Sequence, residues 1–103
     1  MAISDVQEKN NYYYVRDERG KEIVHASVSS LGELHDFSGS LIIFKKNNYY
    51  YVRDEDLKEI SHASVSSLGD FKSVAGDTIN FIKNNYVYTR DRHLKEISHR
   101  SAR

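Results

Sequence analysis

Three histidines stand at matching places in this chain, His25, His62 and His99, each 37 residues from the next. Imidazole is a common metal ligand and the side chain that changes charge nearest neutral pH. If the strands that carry them lined a common axis, three rings would converge on a zinc or nickel ion. Protonated, they would meet an anion instead. The plainer alternative is three separate histidines, each hydrogen-bonded locally or exposed on its own sheet. A spacing of 37 is not by itself a metal-ligand signature. His35 and His93 have no equivalents elsewhere in the chain and receive no role. Ser27 and Ser64 lie two residues beyond His25 and His62, which on a strand is the same face. No nucleophile elbow or oxyanion turn accompanies them. Glu22, Glu59 and Glu96, each after a lysine, read as solvated hairpin charges and edge protection rather than as catalytic carboxylates. There is no glycine-rich phosphate loop and no dinucleotide fingerprint. The expectation is a non-enzymatic protein that needs no cofactor, with a divalent metal at the three histidines as the one exception considered.

A second recurring set is built from tyrosine and arginine. "YYYVRD" at 12–17 and 49–54 and "YVYTRD" at 86–91 hold all eight tyrosines of the chain. With a period of two, Tyr12, Tyr14 and Arg16 share one strand face, as do Tyr49, Tyr51 and Arg53, and Tyr86, Tyr88 and Arg90. Tyrosine and arginine combine large, fairly rigid contact area with polar handles and are enriched at binding hot spots. Their planes could also stack on sugars or bases. Cross-strand packing with the arginines over the rings would account for the same pattern without any ligand. If the three faces are exposed, the chain is multivalent toward a repetitive partner.

The elements that must position these residues follow from a repeat. Positions 10–46 and 47–83 are identical at 24 of 37 places, and 84–103 matches 47–66 at 13 of 20. "AISDVQEK" before Asn10 fills the slot of the strand-like "LIIFKK" and "TINFIK". Each unit then reads as strand, Asn-Asn turn, strand, polar turn, strand. Asparagine tolerates the positive φ that a two-residue type I′ hairpin needs twice. Ile42 and Phe44 match Ile79 and Phe81, whereas the first unit has Asp5 and Gln7, which marks its opening strand as an edge. The expectation is an all-β single domain with nine strands and no helix. Its three repeats, of about 37 residues, are three-stranded antiparallel meanders at roughly 1–30, 38–67 and 75–103, joined by loops 31–37 and 68–74. Three meanders sharing one core would form a β-prism-like arrangement of pseudo-threefold symmetry, or a barrel, with the termini meeting. The alternative is half of a propeller-like ring completed by dimerisation.

Composition bounds the function classes. One hundred and three residues suffice for one core. Without cysteine there is neither a disulfide framework nor a thiolate metal site. Fifteen basic and fifteen acidic residues cancel, so bulk charge selects neither nucleic acid nor anionic lipid. No signal segment or membrane-length apolar run is evident, and a cytoplasmic location with no membrane partner is expected.

"NNYVYTRDRHLKEISHRSA" preceded by "AGDTINFIK" resembles the repeats of small uncharacterised bacterial β-repeat proteins, a family that implies no established function. The chain has a more distant likeness to the monocot mannose-binding lectins, which place three repeats of this size in a β-prism. Their sugar-site pattern of glutamine, aspartate, asparagine, valine and tyrosine is absent here, and only an Asn and a Tyr of "NNYYYVRD" correspond to it. The expected function is a binding or assembly module whose Tyr/Arg strands meet a protein partner or a second copy. Carbohydrate binding is the alternative, and single-stranded nucleic acid comes third because the net charge is zero.

Overall fold

The computed structural model describes residues 2–102. Among them are eleven strands in three antiparallel sheets. The first sheet contains β1 (Asp5–Lys9), β2 (Tyr12–Arg16) and β3 (Glu22–Ser27). The second contains β4 (Glu33–Phe37), β5 (Ile42–Lys46), β6 (Tyr49–Arg53) and β7 (Glu59–Ser64). The third contains β8 (Asp70–Ala75), β9 (Thr78–Lys83), β10 (Tyr86–Arg90) and β11 (Glu96–Ser101). Strands follow chain order within every sheet, so β1 is an edge while β5 and β9 are internal.

Local chemistry explains the hairpins. All six turn asparagines hold φ between 52° and 68°, the left-handed pair that a tight β-turn of this hand requires. The next turn is closed by Asp17, Asp54 and Asp91. Asp17 Oδ1, for example, accepts the N–H groups of Arg19 and Lys21 at 2.9 and 3.0 Å.

Four expectations are corrected. The segments expected as loops 31–37 and 68–74 hold β4 and all but the last residue of β8, so the strand number is eleven among the described residues. Each of these strands carries a bulge, between Leu34 and Asp36 and between Phe71 and Ser73, which breaks the period-two alternation by which a strand is recognised. Two single-turn helices also form, α1 (Val28–Leu31) and α2 (Val65–Leu68). Ser27 and Ser64 cap them through their Oγ atoms, and Gly32 and Gly69 end them at φ near 94°. A side chain at Gly32 would put its Cβ 2.5 Å from the Lys45 carbonyl oxygen, so no other residue fits there. Finally, the sheets form no closed barrel, and β1 and β11 lie in different sheets rather than meeting.

Nor is there one shared core. Val6, Tyr13 and Val15 of the first sheet pack with Ile42 and Phe44 of the second. Ile43, Tyr50 and Val52 of the second pack with Ile79 and Phe81 of the third. Alternation along β5 therefore sends successive residues into opposite clusters, and the middle sheet is covered on both faces. That is why 41–44 is an unbroken apolar run in which every residue is fully buried. In each joint the face bearing Ile42 and Phe44, or Ile79 and Phe81 (the front), rests on the preceding sheet's face bearing Tyr13 and Val15, or Tyr50 and Val52 (the back). The second and third sheets also approach along β4 and β8.

Candidate functional site

Each sheet carries the same surface cluster. In the first, β2 places Tyr14 directly opposite His25 of β3, with Tyr12 one step along the same face. The His25 ring lies 5.9 Å from Tyr12, edge-on, and 5.5 Å from Tyr14. Its Nδ1 is 2.8 Å from Glu22 Oε2. The second sheet repeats this with His62 5.9 Å from Tyr49, stacked at 5.5 Å on Tyr51, and 2.7 Å from Glu59. The third does so with His99 at 5.8 and 5.6 Å from Tyr86 and Tyr88, and 3.0 Å from Glu96.

Within each Tyr-Tyr-Arg face the three residues do different work. Arg16, Arg53 and Arg90 stand 5.7–5.8 Å over the rings of Tyr14, Tyr51 and Tyr88. Their Nη1 atoms donate to the carbonyls of Gly20, Leu57 and Leu94, which anchors the neighbouring turn. The arginines and the second ring are thus half-buried supports. Tyr12, Tyr49 and Tyr86 remain 42–45% exposed, and the histidines 51–54%. What a partner can reach is one tyrosine and one histidine per sheet.

The three histidines do not converge. They sit on β3, β7 and β11, the edge strands of three different sheets, and each Nδ1 is taken up by its own glutamate. No group of three His, Cys, Asp or Glu side chains suited to holding a metal occurs among the described residues. The axial metal site considered from the sequence is therefore replaced by three separate Tyr–Tyr–His–Glu clusters. Ser27 Oγ is engaged by Ser30 N–H and by the hydroxyls of Ser29 and Ser30 as a helix cap.

Sequence reasoning missed Glu22, Glu59 and Glu96 as histidine partners. Strict alternation puts residues three apart on opposite faces, and only the bulge between Val15 and Arg16 brings Glu22 to the side of His25. It also missed the middle tyrosine. Tyr13 Oη donates to Gly32 O at 2.8 Å and accepts Leu34 N–H at 3.2 Å, tying the first sheet to the start of β4. Tyr50 repeats both bonds with Gly69 and Phe71. Burial pushes both phenols above their ordinary pKa, against the opposing pull of the backbone N–H donors. His35 packs edge-on between Tyr50 and Phe71 at 5.7 and 5.5 Å.

Beside the first tyrosine of two clusters lies a shallow cavity. One of about 490 Å³ is lined by Asn47, Asn48, Tyr49, Ser64, Val65 and Ser66. Its counterpart in the first sheet, of about 400 Å³, is lined by Asn11, Tyr12, Ser27, Val28 and Ser29. No helix is long and apolar enough to cross a membrane among the described residues. Comparison with protein-family models, with curated proteins and with solved structures gives no match.

Proposed function

We propose that this is a non-enzymatic binding module that meets an extended protein segment through its three Tyr–His clusters. One observation carries the reading: the same ring pair is held at the same exposure in every sheet, although the sheets' surroundings differ. In the first sheet this face is open, and in the other two it points toward a preceding sheet. Internal packing alone would bury these rings unequally. Tyrosine brings contact area at low entropic cost, and three linked sites raise avidity without a large interface at any one of them. The threefold repetition of the unit, a property of the sequence, becomes on this reading a repetition of binding sites.

Carbohydrate binding is favoured by a separate observation, the two cavities in which an exposed tyrosine adjoins asparagine amides and serine hydroxyls without a charged group. Titration of the labelled protein followed by two-dimensional NMR separates the readings. Extended peptides of varied sequence should perturb Tyr12, Tyr49, Tyr86 and the three histidines together. Saccharides acting at the cavities would move Asn48 and Ser66 instead, and an oligonucleotide would lose affinity steeply with salt. Replacing Tyr12, Tyr49 and Tyr86 together by Ala should weaken a bound peptide by roughly a hundredfold or more. Unchanged affinity in a folded triple variant would remove the clusters from the site.

A further inference from the structure

The two outer faces of the sheet stack are not equivalent. Inside the chain, the back of each sheet receives the front of the next, and this joint is made twice. Among the described residues this leaves one back uncovered, on β8–β11, and one front uncovered, on β1–β3. Ile23 and Ile60 pack beneath the following sheet, whereas their equivalent Ile97 stands 57% exposed. We propose that the protein associates head to tail with a second copy, the back of its third sheet docking on the front of the partner's first sheet.

Charge supports this occupant. Ala26 packs in the same cluster as Ile42, and Ala63 in the same cluster as Ile79. On the uncovered faces the repeat equivalents of Ala26 and Ile42 are Arg100 and Asp5, both exposed. A basic residue thus replaces alanine on the unused back, and an acidic residue replaces isoleucine on the unused front. Arg16 and Lys9 share the front with Asp5, as Arg53 and Lys46 share that of the second sheet. The change relative to the internal joint is therefore one added acid on the front and one added base on the back, which favours unlike faces over like ones. The centre of the new joint is more polar than the internal ones. Asn80 and Thr89 stand where the second sheet has Ile43 and Val52, and they bond to each other at 2.6 Å, while Asn80 donates to Ser73 at 3.1 Å. Association is accordingly weaker than the internal packing, reversible and sensitive to salt. Such a heterologous contact closes into a ring if the rotation permits and otherwise propagates. Because the internal joint leaves Tyr49 and His62 exposed, docking would continue the row of clusters from one molecule to the next.

Sedimentation velocity across a concentration series, at low and high salt, tests the proposal on the full chain. The wild type should gain mass with concentration at low salt and lose it at high salt. Asp5→Arg and Arg100→Asp should each stay monomeric, and the double variant should recover assembly. Both residues are exposed, but Asp5 lies opposite Arg16 in its own sheet, so Asp5→Asn is measured beside Asp5→Arg and folding of each variant is checked by circular dichroism. A wild type that is monomeric throughout overturns the proposal, as does an oligomer indifferent to both charge reversals. Tyr49→Ala should leave assembly intact, which separates failure here from failure of the binding clusters.

Discussion

Leu57 and Leu94 hold φ of 63° and 64°, a left-handed conformation that costs a branched L-residue roughly 1–2 kcal/mol. Gly20 occupies the same place in the first repeat at φ 77° without that cost. Both leucines are only 7% exposed, Leu57 in the cluster between the first two sheets and Leu94 in the next. Among the described residues nothing covers the equivalent place on the first sheet, where a Cβ added at Gly20 would meet nothing within 4 Å. Truncating a buried leucine costs about 2–5 kcal/mol, and returning the position to glycine recovers roughly 1 of these. Leu57→Gly should therefore destabilise by about 1–4 kcal/mol. Gly20→Leu, which acquires strain without packing, should destabilise by about 1 kcal/mol. With a urea dependence of about 1–3 kcal/mol per molar, the Leu57→Gly midpoint should fall by roughly 1 M. Equilibrium unfolding followed by tyrosine fluorescence and circular dichroism reads both. If Leu57→Gly is neutral or stabilising, strain outweighs packing and the explanation of the Gly/Leu exchange is wrong. Stabilisation by Gly20→Leu would show an apolar contact that the first sheet's open face does not provide.

Two further substitutions test the joints between sheets. Tyr50→Phe keeps the ring but strands the Gly69 carbonyl and the Phe71 N–H, and should cost about 1–3 kcal/mol in the same unfolding assay. Because burial raises the folded pKa of Tyr13 and Tyr50 above the unfolded value near 10, their contribution to stability is complete below pH about 10 and is lost as pH rises beyond it. Alkaline unfolding should consequently begin above pH about 10, and Tyr50→Phe should make that decline shallower; an unchanged slope would refute the linkage. Gly69→Ala drives a Cβ into the Ile82 carbonyl at φ 93° and should cost about 2–4 kcal/mol, against roughly 1 for Gly76→Ala, whose Cβ meets open space and which bears only the strain of its left-handed φ of 54°.

Much of the local structure was legible in the chain. Asn-Asn at 10–11, 47–48 and 84–85 announces hairpins, because few other residues accept positive φ twice in succession. The Tyr/Val alternation places two kinds of side chain on opposite faces of β2, β6 and β10. What the alternation cannot say is which face is covered. Tyr13 and Tyr12 are neighbours of one type, yet one is 3% and the other 43% exposed. Their roles separate only once β4 arrives to bond the Tyr13 hydroxyl. Bulges hid β4 and β8, and a bulge likewise hid the pairing of each histidine with the glutamate three residues before it.

The departures from exact repetition become intelligible in the same way. Asp5, Gln7 and Gly20 replace apolar residues on the front of the first sheet, and Asn80, Val87 and Thr89 replace Ile43, Tyr50 and Val52 on the back of the third. The sequence alone determined the repeat, the hairpin turns, the predominance of strands and the identity of the recurring tyrosines and histidines, since these depend on backbone preference and on a period of two. Only the tertiary structure decided that the sheets stack in series around two clusters, that the histidines stay apart, and which ring of each tyrosine run faces solvent. Those outcomes depend on contacts between residues distant in the chain, and a repeated pattern is compatible with several ways of bringing its copies together.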